Sequence, residues 1–209
     1  MDERRDRRIG TAGVGRPRDP ELDRSILAAA RELLVEVGYQ KATITAIARR
    51  AEVGTAAIYR RWATRESIIE DAVFGMGDAA LPQATGDLRE DLLRWVRMFL
   101  ARIAEPATRA AIPGLLSAYH HDDGVYERLV RRSERPARDA LAEQVVAAFP
   151  DRPAAASRAA ADAAFDLLVA ATTMRGLTSG LAGAEAFCAR TADSLTVLVT
   201  AGARAPLTG

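Results

Sequence analysis

The stretch that decides the fold is TITAIARRAEVGTAAIYRRW, from Thr43 to Trp62. Two short helical patterns lie in it, separated by a tight turn. Thr43 can cap the first, running from about Ile44 to Ala51, and Gly54 can cap the second, from Thr55 to about Arg61. Ile44, Ile47, Val53 and Ile58 supply a small core, while Ala48 and Ala51 are small where two helices must cross closely. This is the pattern of a helix-turn-helix, whose second helix enters the major groove of DNA. Thr55, Ala56 and Ala57 would let that helix's backbone approach base edges, and Tyr59, Arg60 and Arg61 would reach phosphates.

Outward from this core the chain reads as helix throughout. Upstream, Asp19 can cap a helix that opens on Pro20 and carries Ile26, Ala30, Leu33 and Val37 at helical spacing until Gly38 ends it. Downstream, Thr64 can cap a fourth helix starting at Arg65, a further phosphate site at a helix N-terminus. Gly75 to Gly86, with Pro82, breaks that helix. Further helices are expected at Leu88–Ile103, at 106–120 with an interruption near Pro113 and Gly114, at Val125–Phe149 with a bend or break at Pro136, and at 155–181 and 184–203. No strand signal and no internal repeat is present. The fold class is all-α. The expected organisation is a disordered basic arm at 1–18, a helix-turn-helix DNA-binding head at 19–64, and a helical body at 65–209, with the helix at 65–79 joining the two.

Charge divides along the same line. Residues 1–65 hold 14 Lys and Arg against 9 Asp and Glu, whereas residues 66–209 hold 15 against 19. A basic head on an acidic body suits a polyanionic partner, double-stranded DNA. In the arm, Arg16 and Arg18 flank Pro17 just before the first helix. They would either follow a narrow minor groove or belong to a solubilising tail.

Residues 22–73 resemble the DNA-binding domain of the tetracycline-repressor (TetR/AcrR) family, most closely through Ile47-Ala-Arg-Arg-Ala51, Val53, and Ile58-Tyr-Arg-Arg-Trp-Ala-Thr-Arg-Glu66. The resemblance implies that Tyr59, Arg61 and Arg65 hold the DNA backbone. It also implies that Thr43 and Thr45 touch phosphate, and that Thr55, Ala56 and Ala57 read bases. Three positions depart from the family pattern. Glu52 stands where the turn usually has Gly, which predicts backbone strain. Gly54 replaces a Ser cap, and Ala57 replaces a Ser or Thr that would donate a hydrogen bond.

For the helical body at 65–209, the resemblance implies an effector-binding and dimerisation domain. Candidate pocket residues are Trp95, Met98, Phe99, Leu116, Tyr119, Phe149 and Phe165, together with Ile112, Leu115 and Val145; an aromatic stripe at this spacing serves a core as readily as a pocket. Their low polarity suits an apolar or amphipathic ligand. Leu167, Ala171 and Met174 on one long helix, and Leu195 and Leu198 on the next, are candidates for a homodimer interface. A closed cavity in the body would favour a small-molecule effector; a solid body would favour a protein partner or none.

Other functions find little support. No catalytic constellation, Gly-rich phosphate loop or cofactor motif stands out, so an enzyme is not expected. His120-His121-Asp122-Asp123 reads as a helix-terminus loop rather than a metal site, because adjacent ligands seldom converge on one ion. Cys188, the only cysteine, reads as a core residue. No apolar stretch is long enough to span a membrane, and the charged first fifteen residues lack a secretory core, so a cytoplasmic location is expected.

Overall fold

The computed structural model describes residues 19–75 and 81–201. The arm, with Arg16 and Arg18, lies outside the described residues. Ten α-helices occur among those described: α1 (Pro20–Val37), α2 (Ile44–Arg50), α3 (Thr55–Tyr59), α4 (Arg65–Phe74), α5 (Leu88–Ala104), α6 (Pro106–His121), α7 (Asp123–Leu129), α8 (Arg135–Ala148), α9 (Ala154–Thr178) and α10 (Ala184–Ala201). A 3-10 turn occupies Tyr39–Lys41 and a π-helical turn Val130–Glu134. No strand occurs among the described residues.

Side-chain caps set the starts of the head helices. The Asp19 carboxylate accepts from the Glu21 amide at 3.0 Å, and the Thr43 hydroxyl accepts from the Ala46 amide at 3.2 Å. Thr64 and Ser67 cap α4 reciprocally. Gly38 ends α1 with φ +77°, a region that glycine enters without steric cost.

Two apolar cores form. The first joins Ile26, Leu33 and Leu34 of α1 to Ile47, Ile58, Trp62, Ile68, Ile69 and Val73, and it also takes in Ala107, Ala111 and Leu115 of α6. Helix α4 is therefore part of the head's core, and residue 64 marks no break in packing. The second core gathers Leu92, Trp95, Val96 and Leu100 of α5 with Leu141, Val145, Phe165, Leu168, Leu195 and Val199 from α8, α9 and α10. Both α9 and α10 lean on α5 and on each other.

Two prolines behave differently from the sequence expectation. Helix α6 continues through Pro113, which lies on an exposed face where water can serve the carbonyl left without a donor. At Pro136 the helical path neither stops nor breaks. The π turn immediately before it widens the spiral, and that gives the ring room against the carbonyl of Arg132.

Gly114 sets the closest approach between α6 and the head. A Cβ there would stand 2.1 Å from the Tyr39 ring. The substitution Gly114→Ala is expected to lower unfolding free energy by about 1–3 kcal/mol in urea titrations, because overpacking outweighs the helix preference for alanine. A gain in stability would show that the ring does not lie against this helix.

Candidate nucleic-acid interface and apolar cavity

The face that would meet DNA is held from beneath by a buried isoleucine. Ile58, fully buried, fixes α3 in the head's core and leaves Thr55, Ala56, Arg60 and the Tyr59 side chain exposed, the last at 58%. Ala57 is partly buried. Thr43 and Thr45 are exposed at the start of α2.

Two of the expected phosphate ligands are turned inward instead. Arg61 pairs with Asp23 of α1 and donates to the Ala57 carbonyl at 3.1 Å, which leaves its side chain 11% exposed. Arg65 lies over the Tyr39 ring, 4.3 Å from its centre, donates to the Tyr39 carbonyl at 3.3 Å, and pairs with Glu66 at 3.1 Å. A carboxylate and an aromatic face together hold a guanidinium better than either does alone. Behind them, the Trp62 indole donates to Asp71 at 2.7 Å and ties the end of α3 to α4. Glu52 has φ +55° and is the one non-glycine residue with positive φ among those described, so the strain expected in the turn is present.

Between the two cores lies a cavity of about 500 Å³. Met98, Phe99, Leu116 and Tyr119, all expected at a pocket, line it, as do Phe74, Ile103, Tyr126, Leu129, Val169 and Met174. Four other candidates do not. Val145 is fully buried in the second core. Trp95 is fully buried in the second core, where its indole donates to Gln144 at 2.8 Å. Phe165 is also fully buried, edge-on to Phe99 and beneath Arg138. Phe149 packs under Arg152 at the far end of α8. Ser133 and Glu134 also line the cavity and escaped the sequence reading. Their only signal was the proline that follows, which brings the π turn.

One buried acid connects the cavity wall to the head. Glu70 of α4 is 5% exposed, and one of its oxygens has no hydrogen-bond partner among the described residues. Burial pushes its carboxyl up to about 7, opposed by the Arg128 guanidinium. Its neighbour Tyr119 is raised by burial and by the Glu70 charge.

The candidate interface residues divide. Leu195 belongs to the second core at 2% exposure, because it faces inward among the packed helices, and Leu198 packs partly against the same core. Ala171 is partly buried, and Met174, largely exposed, sits at the rim of the cavity. Leu167 stands on the outer face of α9, exposed like Val197 on α10. His120 and His121 end α6, Asp122 caps α7, and Cys188 is buried. No group of three metal-ligating side chains occurs among the described residues. None of the described helices is long and apolar enough to cross a membrane.

The chain matches two family models: bacterial regulatory proteins of the tetR family over residues 26–72, and the tetracyclin repressor-like C-terminal domain over residues 82–195. An HTH-type transcriptional regulator of Mycobacterium tuberculosis, Rv1556, is 30% identical over 160 residues, covering 73% of this chain and 77% of that protein. YdeS, an HTH-type transcriptional regulator of Bacillus subtilis, is 33% identical over 125 residues, covering 59% of this chain and 63% of its own. Among solved structures, the TetR family transcription regulator SCO0332 aligns with TM-score 0.62 at 24% identity, over 89% of this chain and all of that one. FadR from Bacillus subtilis, solved in complex with stearoyl-CoA, aligns with TM-score 0.61 at 17% identity, over 85% of this chain and 97% of that one.

Two substitutions test this geometry. Glu52→Gly removes a left-handed penalty of about 1–2 kcal/mol but adds roughly 0.5–1 kcal/mol of chain entropy, so a net gain of about 0.5–1 kcal/mol is expected in urea titrations. For Glu70, the folded value of about 7 lies above the ordinary 4.5, so the folded chain holds this proton to higher pH than the unfolded chain. Its contribution to stability is then most favourable below pH 4.5 and is lost as pH rises toward 7. Glu70→Gln is expected to flatten that part of the stability profile and to raise stability at pH 8 by roughly 1–3 kcal/mol.

Proposed function

Since the chain belongs to the tetracycline-repressor family of bacterial regulatory proteins and is a DNA-binding transcriptional regulator, we propose that it acts as a cytoplasmic homodimeric repressor, released from a palindromic operator by an apolar or amphipathic small molecule. The observation that carries this reading is the cavity of about 500 Å³, whose walls include Phe74 at the end of α4. Its size suits a drug-sized ligand, and α4 continues from it into the head. In this reading Thr55, Ala56 and Ala57 read bases, while Thr43, Thr45, Tyr59 and Arg60 hold the backbone. Arg61 and Arg65 brace α3 and α4, and exchange their carboxylate partners for phosphate as the groove closes on them. A two-fold dimer, with Leu167 and Met174 on its contact face, would set two heads on one side of the duplex.

The ligand acts through unequal affinity for two arrangements of the body. Packing against Phe74 and Tyr119 would favour an α4 setting in which the heads no longer match the half-site spacing. The short path from the Tyr119 ring to buried Glu70 on α4 supports such a coupling.

Mobility shifts against the chain's own upstream DNA test the reading. A specific, salt-sensitive complex of dimer stoichiometry is expected. Arg60→Ala should weaken it about three- to tenfold on every sequence and lower the salt slope by about 1. Tyr59→Ala should weaken it to a similar degree. An intact protein that shifts no genomic fragment specifically at low salt would overturn the assignment of operator binding.

A further inference from the structure

The π turn Val130–Glu134 places a carboxylate on a largely apolar wall. Glu134 is partly buried at the cavity, and no hydrogen bond or ion pair links it to another of the described residues. Arg138, whose charge opposes the rise that burial causes in the Glu134 carboxyl, makes its direct contacts elsewhere: it donates to Asp166 at 2.6 Å and to Asp162 at 3.4 Å, and lies 4.5 Å over the Phe165 ring. The cavity's guanidinium, Arg102, donates to the Gly75 carbonyl at 2.7 Å. Ser133, beside Glu134, reaches the Phe74 carbonyl at 3.4 Å. Among these polar groups Glu134 is the one that makes no hydrogen bond or ion pair to a described residue, and Arg138 acts on it only through the field between them.

Its surroundings are aromatic. The Tyr119 and Tyr126 rings lie 5.6 Å apart at 54° on the cavity wall. The charge on Glu134 is the largest influence raising the Tyr126 hydroxyl and also reaches Tyr119, so the carboxylate and both rings share one corner. Burial likewise pushes the Glu134 carboxyl above its ordinary range. A carboxylate without a hydrogen-bond donor against largely apolar walls is costly, and π turns recur where a helix presents a functional side chain. Aromatic faces attract a cation through their quadrupole, and they do so more strongly when water is excluded. An anionic head at this corner would meet repulsion from Glu134, and a neutral one would leave the carboxylate unpaired.

We propose that the cavity takes lipophilic cations: an apolar body carrying one ammonium group, with that group seated between Glu134, Tyr119 and Tyr126. This rests on the reading of the cavity as the effector site. The ligand's apolar part lies against Phe74, Phe99 and Leu115, next to the end of α4.

Three probes of equal chain length separate the possibilities in calorimetric titrations of the full chain: decyltrimethylammonium, decanol and decanoate, each below its micellar concentration. The cation is expected to bind about tenfold more tightly than the alcohol, with decanoate weakest. Glu134→Gln, nearly the same in shape, is expected to bring the cation within about threefold of the alcohol while leaving alcohol binding unchanged. Tyr126→Leu, at a half-exposed position, should reduce the cation's advantage without abolishing it. Decanoate or decanol binding as well as the cation, or a preference that survives Glu134→Gln, would overturn the cation site and leave the effector cavity standing. Failure of all three to bind would overturn the effector reading and this proposal together.

Discussion

Ala107, Ala111 and Leu115 lose their water not to the body that contains them but to the head. That shared burial is what the architecture depends on. Helix α6 is a wall of the DNA-binding head on one side and of the cavity on the other, so neither can shift alone. Arg31 of α1 reinforces the joint by pairing with Glu105, just before α6, and by donating to the Ala72 carbonyl of α4. Interiors packed to crystal-like density transmit displacement rather than absorb it. A wall side chain of α4 or α6 pushed outward from the cavity therefore carries its displacement to the head.

The same economy of small contacts explains the reading face. Helix α3 is only five residues long and could not persist in isolation. It is held by Ile58 beneath, by Arg61 reaching to Asp23, and by Trp62 reaching to Asp71. Strain at Glu52 is tolerated because those anchors determine the path on either side of the turn. The exposed remainder of α3 is left free of structural duty.

Much of this was legible in the sequence, and the parts that were not share a cause. The caps at Asp19, Thr43 and Thr64, the stop at Gly38, and the abnormal turn at Glu52 are local, and local chemistry specifies them. Gly114 against Tyr39 and Arg61 against Asp23 are long-range pairings, which no periodicity reveals. For the same reason Trp95 and Phe165 could not be separated from Phe99: all three are aromatic on apolar helices, and only the meeting of α5 with α8 and α9 decides which ring is buried. Pro136 signalled a disturbance in the helix but not its form. The chain widened its spiral instead of breaking it, and so put Glu134 on a wall that read as wholly apolar.

The inward arginines bear on how an operator complex would respond to salt. A phosphate ordinarily binds a side chain that was free in solution, and each contact releases a condensed counterion. Arg61 and Arg65 begin on Asp23 and Glu66. Moving either from a carboxylate to a phosphate frees an anionic group of the protein, which then attracts cations of its own. The ionic bookkeeping of such an exchange is nearly neutral. A salt titration would thus count fewer charges than touch the DNA, and the difference would number the arginines that had changed partners.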